Sequence, residues 1–395
     1  MASGSLWARG SRERTAGDRA AVGGGSRPAP RSGAIKDSAA HAGRNYPAGV
    51  MATRTTRPPV VVFTAVRNEE RDLRRALDAV LAQDYPGPIV VSVAVGPSSD
   101  RTAEIASGAA RDDSRVVVSP NPSGLTPQGL NIAVREGIRA LPTATYLVRT
   151  DGHAELPPNY LRTAVDVLER TGADNVGGMM VPVGATPFQE AVAAAMTHPV
   201  GLGGGRFHVG GQEGVADTVY LGAFRRSTFE RAGGYDEHWS RAQDWELNHR
   251  LREAGGVVWF TPTLRVEYRP RSALKPLVVQ FYRTGRWRRE VIRRYPQTAS
   301  PRYLAPPSAL VAVTAGAALG AVGLAAGTAA AWALALPIGY FIGVVAGAGL
   351  ASVGLPWRVR VRLPVVLLVM HMAWGAGFVF GGSLARDAGS TRRAG

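Results

Sequence analysis

Residues 60–70 read VVVFTAVRNEE, and this stretch decides the fold class. The four consecutive apolar side chains from Val60 to Phe63 are typical of a strand that is buried on both faces, as in a parallel sheet covered by helices. From Glu69 to Gln83 the apolar side chains recur at helical spacing, which predicts a covering helix. A buried strand that leads directly into an amphipathic helix indicates an α/β fold.

The same alternation continues along the chain to about residue 270. Further strands are predicted at Ile89–Val95, Arg115–Val118 and Thr145–Val148, and further helices at Thr102–Arg111 and Leu130–Ala140. This order predicts a Rossmann-like, mostly parallel sheet in a domain that we place at residues 57–270. Ligands bind such sheets at the carboxyl ends of the strands, so the loops at residues 65–70, 96–100 and 150–153 are expected at one edge.

Residues 1–56 consist mainly of Gly, Ser, Ala and Arg and contain no sustained apolar run. Such a segment cannot bury enough apolar surface to offset the entropy cost of ordering, so we predict a disordered N-terminal tail. It also lacks the apolar core of a secretory signal, which predicts that the domain that follows stays in the cytoplasm.

The last third of the chain has the composition of a membrane anchor. No charged residue occurs between Arg302 and Arg358, and a second uncharged run extends from Leu363 to Ala385. Because one spanning helix needs about 20 apolar residues, we predict three transmembrane helices within residues 305–385 and a short tail at residues 386–395. Three arginines between the second and third spans, at 358, 360 and 362, place that loop and the α/β domain on the cytoplasmic side of the cell membrane.

The net charge of +16 comes almost entirely from arginine. Residues 271–304 concentrate it in a basic amphipathic helix, Leu274–Tyr295, that is expected at the membrane surface among anionic lipid headgroups. The same arginines suit the diphosphate of a polyprenyl-linked acceptor, although simple anchoring explains them as well. No nucleic-acid-binding module accompanies them, which argues against a nucleic-acid partner. The absence of cysteine excludes disulfides, thiol nucleophiles and cysteine-ligated metals.

Acidic residues follow two of the predicted strands. Asp151 and His153 come directly after the strand at 145–148, where a carboxylate and an imidazole can share Mg²⁺ or Mn²⁺ with substrate phosphates. A turn aspartate with a surface histidine is the alternative interpretation. Asp100 precedes a helix, where it either faces a ligand or simply caps the helix.

A third acidic stretch begins a later helix. Asp244 and Glu246 lie at its start, where the helix dipole stabilises an anionic carboxylate. Such a carboxylate can accept the proton of a sugar hydroxyl as that hydroxyl attacks. Helix capping is again the alternative interpretation.

Taken together, these stretches resemble glycosyltransferase family 2, whose members have the GT-A fold, over about residues 59–270. The resemblance implies a nucleotide-sugar donor, a divalent metal at Asp151 and His153, and a catalytic base at Asp244, preceded by Gln243 in place of the usual glutamate. It also implies a set of donor-binding residues at the sheet edge: Ala65, Arg67, Asn68, Glu69, Asp100, Asn131 and Asp151.

The sequence departs from the family pattern at several points. Val95-Gly96-Pro97 stands where the family usually has an acidic pair that contacts uracil, and His153 replaces the second aspartate of the metal motif. An imidazole ligand favours Mn²⁺ more than an all-oxygen site does. These departures resemble the succinoglycan-type exopolysaccharide branch of the family. The motif that processive synthases carry is met only in part, at Arg286 and Trp287, which with Gln243 are candidates for contact with the acceptor or the diphosphate.

The resemblance therefore implies an inverting, metal-dependent glycosyltransferase that acts on a lipid-linked or polysaccharide acceptor in exopolysaccharide or cell-envelope glycan synthesis. The alternative is a catalytically inactive sugar-nucleotide-binding membrane scaffold of a glycan export complex. A transporter is disfavoured because the predicted spans contain no strongly polar residue other than His371.

Overall fold

A computed structural model describes residues 57–239 and 241–382 of the chain. The predicted N-terminal tail at 1–56 and the predicted short tail at 386–395 lie outside these residues. Within the described residues, a single eight-stranded sheet is flanked by helices and is followed by a set of long apolar helices.

The sheet has the strand order β3-β2-β1-β4-β7-β5-β8-β6. Its strands are β1 (Val60–Val66), β2 (Ile89–Val95), β3 (Val116–Pro120), β4 (Tyr146–Arg149), β5 (Asn175–Pro182), β6 (Gly214–Val215), β7 (Tyr220–Arg225) and β8 (Val258–Tyr268). Strands β1 to β4 are parallel to one another, whereas β7 runs antiparallel to both β4 and β5. The predicted α/β class and the first four strands are confirmed, with strand ends shifted by two residues at most.

Helices cover both faces of the sheet and continue beyond it. They are α1 (Leu73–Leu81), α2 (Thr102–Asp112), α3 (Thr126–Ala140), α4 (Tyr160–Thr171), α5 (Pro187–Thr197), α6 (Pro199–Leu202), α7 (Arg206–Val209), α8 (Arg226–Arg231), α9 (Gln243–Glu253), α10 (Leu274–Arg294), α11 (Pro301–Ala326), α12 (Ala335–Ala351), α13 (Trp357–Arg360) and α14 (Leu363–Phe380). The first helix begins at Leu73 rather than Glu69, and the backbone N–H of Glu69 donates to the Thr102 hydroxyl.

Strand β1 lies at the centre of the domain, and its residues alternate between two cores. Val60 and Val62 pack in the same cluster as Leu73 of α1, whereas Val61 and Phe63 pack in the cluster on the opposite face. All four β1 side chains have no solvent exposure. Because successive strand side chains point to opposite faces, a strand covered on both sides is expected to be apolar, and β1 is apolar except for the buried Thr64.

Strand order reverses at β1. The chain runs from β1 to β2 and β3 on one side, and then places β4 on the other side of β1. The carboxyl ends of β1 and β4 therefore border a crevice at the point where ligands bind in doubly wound sheets. The loops after β1, β2 and β4 meet there.

Three C-terminal segments are long and apolar enough to cross a membrane: Pro301–Ala326, Ala329–Ala351 and Trp357–Phe380. The second of them is not one continuous α-helix, because a 3-10 turn at Ala329–Leu334 precedes α12. Close contacts between these helices use glycine. A Cβ on Gly320 would overlap Leu334, and a Cβ on Gly323 would overlap Ala330 and Ala331, so α11 and the turn approach at the backbone.

The predicted basic helix is present as α10, and its two sides contact different parts of the molecule. Gly285 of α10 faces the carbonyl of Trp374, and Gly377 of α14 faces the carbonyl of Tyr282, so a Cβ on either glycine would overlap the facing backbone. On another side, Trp287 of α10 packs with Trp245 of α9. Helix α10 is therefore fixed between the sheet domain and an apolar C-terminal helix, rather than lying free on a surface.

Candidate active site

Arg149 joins the two acidic loops of the candidate site. It is the last residue of β4, and its side chain is 7% exposed. Its Nη2 donates to Oδ1 of Asp151 at 2.9 Å, and its Nη1 donates to Oδ1 of Asp244, near the start of α9. One guanidinium thus brings together the predicted metal ligand and the predicted base, which are far apart in sequence.

The charge of Arg149 is stabilised by these two partners. Burial acts to lower its pKa, but the negative charges of Asp244 and Asp151 outweigh burial and raise it well above its ordinary value. A buried cation requires such partners, because removing a charge from water costs far more than a single neutral hydrogen bond returns. The two carboxylates are in turn held at one place by a cation that stays charged at every physiological pH.

Tyr235 is a second donor to Asp244. Its hydroxyl donates to Asp244 Oδ1 at 3.3 Å. Burial, with the nearby charge of Asp244, raises the pKa of Tyr235 well above its ordinary value, so its phenol remains a neutral donor. The Tyr235 backbone is fixed by Asn131, whose side chain donates to the Tyr235 carbonyl at 2.8 Å and accepts from the Tyr235 N–H at 2.9 Å. Asn131, predicted to bind the nucleotide, therefore fixes the backbone at Tyr235, whose hydroxyl donates to Asp244.

Helix α9 is anchored by an internal ion pair. Glu246 has no solvent exposure and accepts two hydrogen bonds from Arg250, from Nε at 2.6 Å and from Nη2 at 2.8 Å. Arg250 also donates to the carbonyl of Gly234 at 2.8 Å. Of the two acids that begin this helix, Glu246 is committed to structure and Asp244 faces the site.

His153 and Glu69 connect the loops after β4 and β1. His153 Nδ1 lies 3.1 Å from Glu69 Oε1, and this hydrogen bond is the main reason that the pKa of His153 is raised, against the effect of burial. Gly152 permits the close approach, because a Cβ there would lie 2.7 Å from a methyl of Val66 and 3.2 Å from Glu69 Cγ.

The donor set at this turn fits a divalent ion that is shared with a substrate. The described ranges contain no group of three or more acidic, histidine or cysteine side chains arranged to hold a metal by themselves. Asp151 and His153 supply one carboxylate and one imidazole, and Mg²⁺ or Mn²⁺ in such sites takes its remaining ligands from water and phosphate. Glu69 orients the imidazole through Nδ1, as outer partners of metal-bound histidines do, which leaves Nε2 for the ion.

The loops after β1 and β2 are bound to each other. Asn68, with φ of 56°, accepts a hydrogen bond from the Ser99 N–H at 2.9 Å. Asp100 accepts from the Glu70 N–H at 3.1 Å and from the Thr102 N–H at 3.1 Å, and the Thr102 hydroxyl is the main cause of its lowered pKa. The contacts of Asp100 are thus those of a residue that caps a turn and joins two loops.

The structure places most of the predicted donor-binding residues on one edge. Ala65 is the second-to-last residue of its strand and lies beside α3, and Arg67 is exposed, with its guanidinium beside Gly124. Together with Asn68, Glu69 and Asp151, these residues line the loops at the switch point.

Three weaker candidates lie elsewhere. Gln243 is buried at the start of α9, and Trp287 is buried against Trp239, with ring centroids 5.8 Å apart. Arg286 donates to the carbonyl of Gly382, just beyond α14. None of the three lines the cavity beside Asp244.

That cavity has a volume of about 360 Å³ and extends from Asp244 toward the apolar helices. Its walls come from α9, α10, α11, α14 and the segment around α7. On α10 the lining residues are Gln280, Phe281, Thr284 and Arg288, which form one face of the helix. The sequence analysis did not single out Arg149 or Arg302 for a role at the site. A charged residue that ends an otherwise apolar strand was the available indication for Arg149; Arg302 gave no local indication.

A mostly parallel sheet with an acidic turn at its switch point, and a distant carboxylate brought beside that turn, is the arrangement expected of a GT-A glycosyltransferase. Residues 61–233 match the family model for glycosyl transferase family 2. Over 312 residues the chain is 32% identical to succinoglycan biosynthesis protein ExoA of Rhizobium meliloti (strain 1021), an alignment that covers 79% of this chain and 91% of the relative. The chain belongs to glycosyltransferase family 2, as the sequence analysis predicted.

A solved structure supports the fold. The chain is similar to a mannosyltransferase, PcManGT from Pyrobaculum calidifontis in complex with GDP-Man and Mn²⁺, with a TM-score of 0.50 and 19% identity. The match covers 83% of this chain and 89% of that one. At this level of identity the similarity concerns the fold.

Replacing Arg149 by lysine tests whether one planar guanidinium must hold both carboxylates. A lysine keeps the charge, but its ammonium cannot hold two carboxylates in the same fixed geometry. We expect transfer activity to fall at least about tenfold with little change in thermal unfolding, since misplacement of a catalytic group by about 1 Å can cost ~10²-fold. The matched control is Arg135→Lys, at an exposed arginine of α3. Equal activity of Arg149→Lys and wild type would show that the bridge is dispensable.

Proposed function

We propose that the protein is an inverting glycosyltransferase that moves a sugar from a nucleotide-diphosphate sugar to a lipid-linked or polysaccharide acceptor in exopolysaccharide or cell-envelope glycan synthesis. The observation that carries the proposal is the contact of Asp151 and Asp244 with one buried guanidinium. Similarity to an exopolysaccharide biosynthesis protein supports the pathway, and a GT-A structure bound to GDP-Man supports a nucleotide-sugar donor.

Asp244 is the proposed general base. It is partly exposed, it lines the cavity, and Arg149 and Tyr235 both donate to its Oδ1. These donors orient the carboxylate toward the cavity, where an acceptor hydroxyl can donate its proton to the other oxygen, Oδ2. As the acceptor hydroxyl loses its proton, its oxygen attacks the anomeric carbon from the side opposite the nucleotide diphosphate. The bond from that carbon to the diphosphate breaks, and the configuration inverts.

Asp151 and His153 are the proposed holders of Mg²⁺ or Mn²⁺. When bound, the ion would neutralise the charge that develops on the departing diphosphate. Arg67 and the backbone of residues 65–69 border the same crevice and are proposed to contact the nucleotide. Asp100 and Asn131 are proposed to act indirectly, because their polar atoms keep the loops in place.

We further propose a multi-pass membrane protein whose catalytic domain is cytoplasmic. Arg358, Arg360 and Arg362 lie in and beside α13, and Val359 of that helix packs in one cluster with Met196 of α5. The basic loop therefore lies on the same side as the catalytic domain, in agreement with the positive-inside rule.

The contacts at the two ends of α14 indicate how this helix is positioned relative to the membrane. Its first residue, Leu363, shares a cluster with α5, and the carbonyl of Gly381, just after its end, accepts a hydrogen bond from Arg289 of α10 at 2.8 Å. Both ends of α14 are thus beside elements of the catalytic side. We propose that α14, predicted from the sequence as the third transmembrane helix, instead lies along the membrane surface beneath the catalytic domain, whereas α11 and α12 enter deepest.

Asp244→Asn tests the base. The amide of asparagine cannot take up the proton of the acceptor hydroxyl. General-base catalysis is worth ~10²–10⁴-fold in rate, so we expect turnover to fall by about that factor while donor affinity is retained. The measurement is nucleotide diphosphate release together with donor binding by isothermal titration calorimetry. Glu253→Gln, an exposed acid at the other end of α9, is the control. Turnover of Asp244→Asn close to that of the control would remove Asp244 from the base role.

His153→Ala tests the metal site. Loss of an outer partner of a metal ligand already costs ~10–100-fold in metal affinity, so loss of a ligand should raise the Mn²⁺ concentration for half-maximal turnover by more than about tenfold. Exposed His238 provides the control, His238→Ala. Activity that is the same with and without added metal in the wild type would contradict the assignment.

A further inference from the structure

Arg288 is a shielded cation without a carboxylate partner among the described residues. Its guanidinium lies 3.7 Å from the ring centroid of Tyr303 and 5.4 Å from that of Trp245. Its Nη1 is inaccessible to solvent and has no hydrogen-bond partner in the part of the chain that the structure describes. Burial is the chief cause of a lowered pKa for Arg288, and the charge of Arg302 lowers it further. Such a site is costly for a protein to keep unless an anion occupies it.

Arg302 brings a second positive charge to the same ring. Its guanidinium lies 4.5 Å from the Tyr303 centroid, and its Nη2 donates to the Tyr303 hydroxyl at 2.5 Å. The carboxylate paired with it, Asp217, is 3.6 Å away and is largely exposed. Two guanidiniums on one tyrosine, with one peripheral carboxylate, leave excess positive charge in the cavity that also contains Asp244.

A second cavity continues from this point toward the apolar helices. It has a volume of about 220 Å³ and shares Leu202, Arg302 and Trp374 with the first cavity. Its other walls include Pro306 and Ala309 of α11. The described residues thus place a carboxylate, a pair of arginines and an apolar chamber in succession.

The surroundings of the first cavity are also basic. The pKa of Arg241 is lowered by desolvation and then by the positive charges of Arg283 and Arg271. Arg271 is engaged by Gln280, whose side chain lines the cavity. Mutual repulsion among these arginines favours an anion that approaches this part of the molecule.

We propose that Arg288 and Arg302 form a binding subsite for the phosphate of a lipid-linked acceptor, with the phosphate at the two guanidiniums and the apolar chain in the second cavity. One guanidinium can donate two parallel hydrogen bonds to a phosphate, and the ring of Tyr303 packs against the guanidiniums of both Arg288 and Arg302. The sugar attached to that phosphate then extends toward Asp244. The assignment rests on the proposed function and moves the phosphate contact from Arg286 to Arg288 and Arg302.

The test is direct binding to the full-length protein in phosphatidylcholine nanodiscs, measured by microscale thermophoresis. The probes are farnesyl diphosphate, farnesol and inorganic diphosphate. The variants are Arg288→Gln and Arg302→Gln, and the matched control is Arg293→Gln, at an exposed arginine one turn further along α10. We expect each cavity variant to bind farnesyl diphosphate about 10- to 100-fold more weakly, since the loss of one hydrogen bond to a charged group raises Kd by about one to two decades. The control should stay within about twofold of wild type.

The other probes separate the sources of binding. Farnesol and inorganic diphosphate should each bind more weakly than farnesyl diphosphate, because each fills only one part of the site. Inorganic diphosphate that binds as tightly as farnesyl diphosphate would overturn the lipid assignment. Displacement of farnesyl diphosphate by UDP or GDP would assign the arginines to the donor instead and would overturn the proposal.

Equal affinity of Arg288→Gln, Arg302→Gln and Arg293→Gln would also overturn it, provided that thermal unfolding shows all three variants folded. A folding failure in one cavity variant leaves the other to decide, and competition by UDP or GDP in the wild type decides without any variant. Hydrolysis of a nucleotide-sugar panel by the wild type is measured in parallel. Donor hydrolysis without lipid-phosphate binding refutes the subsite alone, whereas lipid-phosphate binding without donor hydrolysis refutes the proposed function.

Discussion

The contact of one buried guanidinium with two carboxylates is the interaction on which the site depends. Arg149 ends a strand at the switch point of the sheet, and its side chain is buried there. Asp151 lies two residues further along the chain, whereas Asp244 lies in the first turn of α9, far away in sequence. Because a buried arginine must be compensated by negative charge, the burial of Arg149 links the packing of β4 to the positions of Asp151 and Asp244. The packing of β4 and the electrostatics of the site are therefore linked through Arg149.

Helix α10 connects the site to the apolar C-terminal helices. Trp287 packs beneath the helix that bears Asp244, and Gly285 lets the same helix approach α14 at the backbone. The apolar helices also contact the sheet domain through His371 of α14. Its Nε2 lies 2.8 Å from the carbonyl of Val200 in α6, and its Nδ1 lies 3.0 Å from the hydroxyl of Tyr340 in α12. His371 therefore joins the apolar helices to the domain.

The sequence predicted the features that are local and left out those that depend on distant partners. Buried strands such as β1 are visible as apolar runs, and the order of elements follows from them, so the α/β class and the family were predictable. Asn131 resembled a donor-binding residue, but its amide bonds the backbone of Tyr235, about a hundred positions away. Likewise, the face that α10 turns toward the cavity carries Arg288 rather than Arg286, because Gly285 packs against α14 and Trp287 packs with Trp245.

The most direct test of this account is a double-mutant cycle between Arg149 and Asp244, read as turnover of Arg149→Met, Asp244→Asn and the double variant. If Arg149 acts by positioning Asp244, its removal matters little once the base has been lost, so the double variant should be far more active than the product of the two single losses predicts. Losses that multiply in full would show that the two residues act independently, and would contradict the claim that one guanidinium organises the site.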